Sequence, residues 1–511
     1  MTEVLSIDPR DGTAVEPVAV NSTAEDVDAA CQAAALAAPR LTEAGLAGRA
    51  AALRLIADAL EADRAAIVAL ADRETALGET RLGGELTRTT GQLALFADTV
   101  AQGAYLEASL DTPADLPAGR RPDLRRMLVP AGPVAVYGAS NFPLAFSVPG
   151  GDTASALAAG CPVVVKAHPS HPATSVRCAR VLNEALVSAG VGLGCLSLVH
   201  GLEAGRNLVS HPLIRAAAFT GSLRGGRALY DLAAARPDPI PFYAELGSLN
   251  PVVVLPGAAA QRADSIAAAL AGSFTLGVGQ FCTKPGVILV PTGADGDRLV
   301  SALATGAQVP PGVMLSDAIR EAFAAGVAHR ATLPGVTIAT TGGAADGRLA
   351  SPALLSVAAA GLTGETGREL LAECFGPVTV AVRYEGEAEL LGVLREFHGE
   401  LTGTIHLADG DADLGQAARV AAVLEKAVGR LVYNGVPTGV AVSWSMHHGG
   451  PYPATTSLHT SVGTTAIRRF LRPICYQDAP EQLLPTELRS GNPLGIPRLL
   501  NGQPEAHQGT A

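Results

Sequence analysis

The sequence predicts an α/β fold with parallel sheets, because short apolar runs alternate along it with helix-like stretches. Four such runs lie between residues 134 and 219, and the sequence between them, such as Ala173–Ala189, has helical spacing. Short strands that are apolar throughout and separated by helices are typical of parallel sheets covered on both faces. The four predicted strands are Val134–Tyr137, Val163–Lys166, Leu196–His200 and Ala216–Phe219.

A second segment with the same character begins at Pro251. An apolar run over Val252–Leu255 is followed by a helix-like stretch at about 258–276 and by a further run over Val287–Val290. The chain has 511 residues, whereas a single hydrophobic core seldom grows beyond about 250–300 residues. We therefore expect a second α/β domain that starts near residue 247.

The two ends of the chain differ from these segments. From about Ala24 to Leu70, Leu, Ile and Ala recur at helical spacing, which predicts an Ala-rich helix. From about Arg468 onward prolines are frequent, which indicates an irregular arm. Such an arm can pack on a neighbouring subunit, and a loosely docked tail fits the composition equally well.

Composition and charge argue against several classes of protein. The formal net charge of −11 disfavours a nucleic-acid surface, which needs clustered Lys and Arg, but it leaves room for an anionic small substrate. The first residues do not resemble a signal peptide, and no stretch reads as a membrane span. Seven cysteines without a CxxC pair favour a reducing cytoplasm over a disulfide framework or a zinc site.

The segment Gly279–Lys284 contains a candidate nucleophile, Cys282. Small residues before Cys282 allow a tight turn that points a backbone N–H at a substrate oxygen. A thiol reacts as the thiolate, so its pKa must be lowered by a helix N-terminus, backbone donors or a cation. A lone cysteine also fits a small buried apolar residue, and both interpretations stand on this segment alone.

Two more candidate residues follow predicted strands. Glu245 ends an apolar run just before Gly247, and carboxylates at strand ends in open α/β sheets face the crevice where ligands bind. A partly buried Glu there could have a raised pKa and act as a general base on water. Asn141 follows the strand that ends at Tyr137, where its amide could stabilise an oxyanion. Both residues also fit ordinary turns.

Two segments suggest a bound dinucleotide. Lys166 ends a predicted strand, where its cation could hold a ribose or a phosphate. Residues 219–226 pass from strand to helix through small residues, so backbone N–H groups and Ser222 could meet a pyrophosphate at a helix N-terminus. The GxGxxG fingerprint is absent. Any cofactor must therefore be held in a different way.

Taken together and in this order, six motifs resemble the aldehyde dehydrogenase superfamily, over nearly the whole chain from about Val4 to about Asn501. The motifs are SNFP, VVVK, FTGS, ELGSLNP, GQFC and ECFGP. The resemblance implies a variant Rossmann cofactor domain (1–246), an α/β catalytic domain (247–450) and a C-terminal arm and tail (451–511). It also implies a homodimer or homotetramer, with residues 112–130 and the arm forming a small oligomerisation region.

The resemblance assigns roles to individual residues, and no metal ligands are predicted. Cys282 is similar to the nucleophile and Glu245 to the general base, while the Asn141 side chain and the Cys282 backbone N–H are similar to the oxyanion donors. The cofactor-binding positions are Lys166 for the adenosine ribose, Glu373 for the nicotinamide ribose, Gly221, Ser222 and Gly226 for the pyrophosphate side, and Ser140 without a narrower role.

The mechanism implied by the resemblance is covalent oxidation of an aldehyde. The Cys282 thiolate adds to the carbonyl, hydride leaves to the nicotinamide, and Glu245 activates the water that hydrolyses the thioester. A catalytically silent relative need not retain such residues. CoA-acylating relatives, in which CoA attacks the thioester, generally lack the base at the Glu245 position. The sequence therefore favours hydrolysis over both alternatives.

Departures from the common pattern narrow the cofactor and the substrate. Where many NAD-preferring members carry Glu three residues beyond Lys166, this sequence has Pro169. A 2′-phosphate then meets no like charge, which favours NADP over NAD, with Ser170 and Arg206 as its candidate partners. The segments KAHPSHP, HHGGPYPATT and TSVGTTAIRRFLRP are similar to the 2,5-dioxovalerate dehydrogenase group, which forms 2-oxoglutarate. An NADP-dependent fatty aldehyde or other semialdehyde dehydrogenase is the alternative.

The other conspicuous residues have structural interpretations. The pair His447–His448 lies in a Gly-rich segment, and a loop that shapes the substrate funnel is favoured over a metal site. Trp444 is interpreted as a packing or funnel residue, and Cys374 as structural. The pair Arg468–Arg469 could bind a carboxylate, but a solvated or intersubunit pair is the favoured interpretation.

Overall fold

The computed structural model describes residues 2–345, 347–362 and 364–505. No helix in these ranges is both long and apolar enough to cross a membrane. The described helices are α1 (Ala24–Glu43), α2 (Gly45–Ala62), α3 (Arg64–Thr75), α4 (Glu79–Gln102), α5 (Gly151–Ala159), α6 (Pro172–Ser188), α7 (Leu202–Ser210), α8 (Leu223–Ala234), α9 (Pro256–Thr275), α10 (Ala294–Gly306), α11 (Asp317–Ala331), α12 (Gly364–Leu370), α13 (Gly386–Leu394) and α14 (Leu414–Leu424).

The strands of the described residues are mostly short. They are β1 (Glu3–Ile7), β2 (Ala14–Val20), β3 (Ser109–Asp111), β4 (Ala114–Leu116), β5 (Gly119–Arg121), β6 (Leu124–Pro130), β7 (Val134–Tyr137), β8 (Val163–Lys166), β9 (Leu196–Val199), β10 (Ala216–Thr220), β11 (Phe242–Glu245), β12 (Val252–Val254), β13 (Val287–Pro291), β14 (Gly312–Val313), β15 (Thr337–Thr340), β16 (Gly343–Ala344), β17 (Leu349–Ser351), β18 (Ala353–Ala358), β19 (Val378–Tyr384), β20 (Glu400–His406), β21 (Val428–Tyr433), β22 (Leu471–Gln477), β23 (Leu499–Leu500) and β24 (Gln503–Pro504).

The first parallel sheet has the order β9-β8-β7-β10-β11. Numbered along the chain, this is the 3-2-1-4-5 order of a doubly wound dinucleotide-binding sheet. Val134 and Val136 pack in a core shared with helices α2 to α6, while Ala135 and Tyr137 pack on the other face with residues of α1 and α7. Because successive side chains point to opposite faces, a sheet covered on both faces needs strands that are apolar throughout.

The second sheet has the order β15-β18-β19-β13-β12-β20-β21, and only the edge pair β15 and β18 is antiparallel. Val253 and Leu289 face a core that includes α13 and α14, whereas Val252 and Ile288 face α9 and α10. The predicted second run of strands and helices is therefore confirmed as a sheet of its own. The first sheet ends at Glu245 and the second begins at Val252.

A third sheet, of order β22-β6-β3-β23-β24, joins the C-terminal segment to residues before the first parallel sheet. The strand β22 pairs antiparallel with β6 along its whole length, from Leu471 opposite Pro130 to Gln477 opposite Leu124. The predicted irregular arm from Arg468 is wrong over these residues, because backbone groups of β6 satisfy those of β22. The domain limits at 246 and 450 stay predictions.

The predicted strands Val134–Tyr137 and Val163–Lys166 are confirmed residue for residue. The helical state predicted from about Ala24 to Leu70 is confirmed, and the region contains α1, α2 and most of α3. Gly45 has a φ of +63°, a left-handed conformation that ends one helical run and starts the next in a new direction. Apolar periodicity predicted the helical state there but not the breaks.

Candidate active site

Three side chains far apart in the sequence meet between the two parallel sheets. Glu245 ends β11 of the first sheet, and Cys282 lies between α9 and β13 of the second. His448 follows β21. One ligating atom of each, a carboxylate oxygen, the thiol sulfur and an imidazole nitrogen, all lie within 4.8 Å of one another. Folding thus builds a thiol, an imidazole and a carboxylate into one cluster.

The turn before Cys282 depends on glycine. Gly279 has a φ of +63°, and a Cβ there would lie 2.4 Å from the Gly376 carbonyl carbon and the Pro377 nitrogen. The segment with Cys282 therefore packs directly on the backbone of the 373–377 turn, closer than a side chain would allow. The Cys282 side chain stays partly exposed, so a small molecule can reach the sulfur.

Glu245 is buried and held on both oxygens. Its Oε1 lies 3.0 Å from His448 Nε2, and its Oε2 accepts a hydrogen bond of 2.7 Å from the Ser461 hydroxyl. Burial by itself raises the pKa of Glu245, but the charge and hydrogen bond of His448, with the hydroxyl of Ser461, outweigh it and hold the pKa at about 2. The raised pKa expected from the sequence is wrong, because these partners favour the carboxylate.

The pKa of the Cys282 thiol is shifted in the opposite direction. Burial, followed by the negative charge of Glu245, raises the pKa of the thiol well above its usual value, and the cation of Arg88 only partly opposes this. The resting thiol is therefore protonated at neutral pH and needs a proton acceptor to react. His448 Nε2, 3.7 Å from the sulfur, can be that acceptor in the neutral tautomer that carries its proton on Nδ1.

His448 is held in place through its backbone. Its side chain is completely buried, and its backbone N–H donates to Thr460 Oγ1 at 2.8 Å. Sequence reasoning treated this residue as part of a funnel loop and missed its place beside the nucleophile. The only available signal was the histidine pair itself in a Gly-rich segment, which has no periodicity to indicate a site.

Asn141 lies beside the Cys282 segment. Its Nδ2 donates to the Gln280 backbone oxygen at 3.0 Å. The neighbouring Phe142 ring packs edge-to-face on Phe281 at 5.3 Å between centroids, and Arg81 donates to the Asn141 backbone oxygen at 2.8 Å. These contacts hold an amide donor next to the thiol, where its second N–H can face a developing oxyanion.

The candidate dinucleotide residues lie at the carboxyl ends of the first sheet, where its strand order reverses. Lys166 ends β8, and Ser222 caps α8 by accepting the Gly225 N–H at 3.2 Å. Burial lowers the pKa of Lys166 to about 8, with no described carboxylate acting in the other direction. A free cation and a helix N-terminus at the switch point fit a phosphorylated dinucleotide.

The remaining sequence-predicted cofactor residues are placed as follows. Gly226 is buried in α8, and a Cβ there would lie 2.2 Å from Leu246 Cδ2, so only glycine lets α8 pack so closely on the chain beyond β11. Ser140 adjoins Asn141, and Gly221 follows β10.

The two candidate partners of a 2′-phosphate have other contacts in the structure. The Ser170 N–H donates to His168 Nδ1, while Arg206 is half exposed and pairs with Glu203.

Glu373 reaches the same cleft from the second sheet. A Cβ on Gly247 would lie 2.4 Å from Glu373 Oε2, so this carboxylate rests against the chain two residues beyond Glu245. Burial raises the pKa of Glu373 to about 7, although the Lys284 cation acts in the other direction. A partly buried carboxylate between the cofactor segment and the thiol suits a ribose hydroxyl.

Two arginines add positive charge to the cluster. The Arg88 guanidinium stacks on Phe146 at 5.0 Å and makes one long hydrogen bond, 3.4 Å, to the Val440 oxygen. Arg430 donates to loop carbonyl oxygens, and neither arginine forms an ion pair with a described carboxylate. Burial lowers the pKa of both guanidinium groups, and negative charge on Cys282 acts in the other direction, which places both within electrostatic range of the sulfur.

The predicted solvated or intersubunit pair Arg468–Arg469 is wrong for Arg469. Its side chain is buried and forms an ion pair of 2.8 Å with Asp152. Arg468 is half exposed and pairs with Glu107. The partner Asp152 lies over three hundred residues away in α5, and no local pattern indicates such a contact.

The fold and the site together define an oxidoreductase class: a doubly wound dinucleotide-binding sheet beside a thiol, an oxyanion donor and a carboxylate. The profile of the aldehyde dehydrogenase family matches residues 2–452, and the chain belongs to this family. It is an aldehyde dehydrogenase, an enzyme that oxidises the aldehyde group with NAD(P).

Among similar proteins, two bacterial enzymes match over nearly their whole length. Alpha-ketoglutaric semialdehyde dehydrogenase 2 of Azospirillum brasilense is 47% identical over 98% of this chain and 96% of its own. The alpha-ketoglutaric semialdehyde dehydrogenase of Acinetobacter baylyi is 43% identical over 94% of this chain and 92% of its own.

Solved structures share the fold at lower identity. A 3,6-anhydro-L-galactose dehydrogenase in complex with NAP matches with a TM-score of 0.79 and 20% identity, over 93% of this chain and 96% of its own. Aldehyde dehydrogenase 21 of Physcomitrella patens, in complex with the reaction product succinate, has a TM-score of 0.76 and 21% identity, over 93% and 94%. The predicted aldehyde dehydrogenase fold is confirmed.

Proposed function

We propose that this enzyme oxidises 2,5-dioxovalerate (alpha-ketoglutaric semialdehyde) to 2-oxoglutarate with NADP as the acceptor. The observation that carries the proposal is the cluster of Cys282, His448 and Glu245 within 4.8 Å, beside Asn141. The substrate is the one named for the relatives that are 47% and 43% identical.

In the proposed first step, His448 takes the proton of the Cys282 thiol. The resulting imidazolium pairs with the Glu245 carboxylate 3.0 Å away, which offsets the burial of the new charge. The sulfur then bonds to the aldehyde carbon and the carbonyl electron pair moves to oxygen. The Asn141 amide and the Cys282 backbone N–H stabilise this oxyanion.

Release of the acid requires activated water. Loss of hydride to a bound nicotinamide, which is the chemistry that cofactor supplies, leaves a thioester on Cys282. Glu245 and His448 then act as a coupled base that takes a proton from water. Water oxygen bonds to the acyl carbon, the carbon–sulfur bond breaks, and the leaving sulfur takes back the proton held on His448. The low pKa of Glu245 makes it a weak base alone, which supports a role for the pair.

The proposed choice of NADP rests on charge around Lys166. This lysine would face the adenosine ribose, and no described carboxylate acts on its pKa. Pro169 occupies the position at which many NAD-preferring members have Glu, whose negative charge would repel a 2′-phosphate. Ser170 and Arg206 stay the proposed phosphate partners, although Arg206 would first have to leave Glu203. Glu373 would hold the nicotinamide ribose, Gly221, Ser222 and Gly226 would line the pyrophosphate side, and Ser140 would be a further cofactor contact.

The charge near the nucleophile supports a substrate with a carboxylate. Neither Arg88 nor Arg430 forms a direct ion pair with a described carboxylate, although the charges of Glu85 and Glu245 act on Arg88 at longer range. Cations near the reaction centre with no carboxylate in direct contact suit an anionic ligand. A fatty aldehyde would leave both guanidinium groups without a contacting anion, so a short semialdehyde acid is favoured over that alternative.

The proposed assembly is a homodimer or homotetramer in the cytoplasm. The third sheet, which contains residues 124–130 and 471–477, is the proposed oligomerisation region together with the C-terminal arm. All seven cysteines are free, which suits a reducing compartment.

The test is an initial-rate screen of aldehydes with both cofactors. The panel is 2,5-dioxovalerate, succinate semialdehyde, glutaraldehyde, hexanal and decanal, each with NADP and with NAD, and Cys282→Ala serves as the inactive control. We expect the highest kcat/KM for 2,5-dioxovalerate with NADP. A higher value for decanal would reject the substrate, and a clear preference for NAD would reject the cofactor.

A further inference from the structure

We propose that Cys282, His448 and Glu245 form a binding site for a thiolate-seeking divalent cation such as Zn²⁺, and that occupation of this site reversibly inactivates the enzyme. Within the described residues, this is the one group of three histidine, cysteine or acidic side chains that converges closely enough to hold a metal ion. In the sequence, the His447–His448 pair suggested a metal site, but less strongly than a funnel loop.

The spacing of the three ligand atoms fits a tetrahedral ion. With zinc–sulfur and zinc–nitrogen bonds of about 2.3 and 2.0 Å, two ligands at the tetrahedral angle lie about 3.5 Å apart. The Cys282 sulfur lies 3.7 Å from His448 Nε2, and that nitrogen lies 3.0 Å from Glu245 Oε1. The two distances at His448 Nε2 thus differ from tetrahedral values by a few tenths of an ångström, and the sulfur and the carboxylate oxygen lie within 4.8 Å of each other.

Charge also favours a divalent cation at this point. Glu245 disfavours the Cys282 thiolate by repulsion. A doubly charged ion would neutralise one carboxylate and one thiolate together. It would displace the thiol proton and any proton on Nε2, so binding should release protons and strengthen as pH rises.

Neighbouring side chains hold Glu245 and His448 in place, and the third ligand, Cys282, stays accessible. Ser461 binds Glu245 Oε2, which leaves Oε1 for the ion, and Thr460 holds the His448 backbone. Cys282 is partly exposed, so an ion can enter and keep water in its fourth position, as in open zinc sites. His448 Nδ1 has no hydrogen-bond partner among the described residues, and the lack of this outer support should weaken metal binding about 10–100-fold relative to a supported histidine.

A bound zinc ion would block the nucleophile and so inactivate the enzyme. A sulfur bound to zinc cannot add to the aldehyde, and a coordinated imidazole cannot accept its proton. A hard cation such as Mg²⁺ prefers oxygen ligands, so it should neither bind at this cluster nor inhibit. The effect should be lifted by a chelator, because no covalent bond to carbon forms.

The experiment uses the full-length Cys475→Ser variant, which lacks the exposed thiol of β22. Calorimetric titration with Zn²⁺ should show one ion bound per chain with release of protons, and turnover should fall in parallel and return with EDTA. His448→Ala and His448→Gln should each weaken binding at least about tenfold, since even outer-shell losses cost about 10–100-fold. Matched thermal unfolding curves would establish that both variants fold.

A second readout identifies the sulfur ligand. The cobalt-loaded protein should show a thiolate-to-cobalt charge-transfer band that is absent from Cys282→Ala. Equal zinc affinity in the parent and both His448 variants, or inhibition that EDTA cannot reverse, would overturn the proposal. Binding is measured without turnover, so this outcome is independent of whether 2,5-dioxovalerate proves to be the substrate.

Discussion

His448 and Glu245 form a buried hydrogen-bonded pair, with Nε2 and Oε1 3.0 Å apart and both side chains at most 2% exposed. The same nitrogen lies 3.7 Å from the Cys282 sulfur. Because one nitrogen faces both groups, the arrangement differs from a cysteine–histidine–acid triad, in which the nucleophile and the acid contact different ring nitrogens. Nε2 can take the thiol proton only while the ring proton is on Nδ1, and once protonated it donates to the Glu245 carboxylate. The pair therefore links two steps of the reaction, formation of the thiolate and activation of water.

Replacement of His448 by Gln should slow formation of the thiolate. The expected loss is about 10²–10⁴-fold in the rate of the first turnover, which is typical when a general base is removed. Rapid-mixing measurement of NADPH formation checks this directly. Ser461→Ala, which removes only the second partner of Glu245, is the matched control and should lose much less. An unaltered burst in His448→Gln would rule out its role as proton acceptor.

Replacement of Glu245 by Gln should separate the two halves of the reaction. The amide cannot accept a proton from water, so one equivalent of NADPH should form while the thioester accumulates, and the steady-state rate should fall about 10²–10⁴-fold. Mass spectrometry of the quenched enzyme should detect the acyl group on Cys282. Steady-state turnover at the parent rate would exclude Glu245 as part of the base.

Binding of NADPH should weaken at alkaline pH. Lys166 has a pKa of about 8 in the free enzyme because burial lowers it, so its cation is present below that pH and lost above it. Fluorescence titration should show affinity falling by up to about tenfold per pH unit well above 8.

The control for this pH dependence keeps the charge at residue 166. Lys166→Arg retains a cation throughout this range, so its NADPH affinity should not decline in the same way. A decline of equal size in Lys166→Arg would mean that another group controls the titration.

Replacement of Arg88 by Met should weaken binding of acidic substrates selectively. The variant keeps an apolar chain against Phe146 but loses the cation. KM for 2,5-dioxovalerate should rise at least about tenfold, because one hydrogen bond to a charged group contributes about 1.5–3 kcal/mol. KM for the uncharged glutaraldehyde should change little. An equal rise for both aldehydes would indicate a structural role only.

Loss of the Asp152 carboxylate should lower the free energy of unfolding substantially. Asp152→Ala leaves the Arg469 guanidinium, 3% exposed, without its ion-pair partner, and an uncompensated buried charge costs about 3–5 kcal/mol. The matched control is Asp98→Ala, which breaks the half-exposed pair with Arg54 and should cost less than about 1 kcal/mol. Urea unfolding of both variants checks the difference, and similar midpoints would contradict it.

The sequence by itself determined the parallel sheets and the residues that end their strands. Runs such as Val134–Tyr137 are apolar on both faces, and that local pattern is sufficient because each side chain must enter a core. The breaks after α1 and α2 were missed, since residues such as Gly45 act through backbone conformation rather than periodicity. Ordered motifs likewise identified Cys282, Glu245 and Asn141 as candidates.

Only the tertiary structure decided which charged and hydrogen-bonding groups surround those candidates, and therefore in which direction their pKa values shift. Residue 448 lies 203 positions from Glu245, and no local pattern encodes a contact at that separation. The same carboxylate that was expected to have a raised pKa has a lowered one, because a pKa depends on which partners surround the group and not on its strand position. The partners of a buried charge, here as at Arg469 and Asp152, are set by how the sheets and loops pack together.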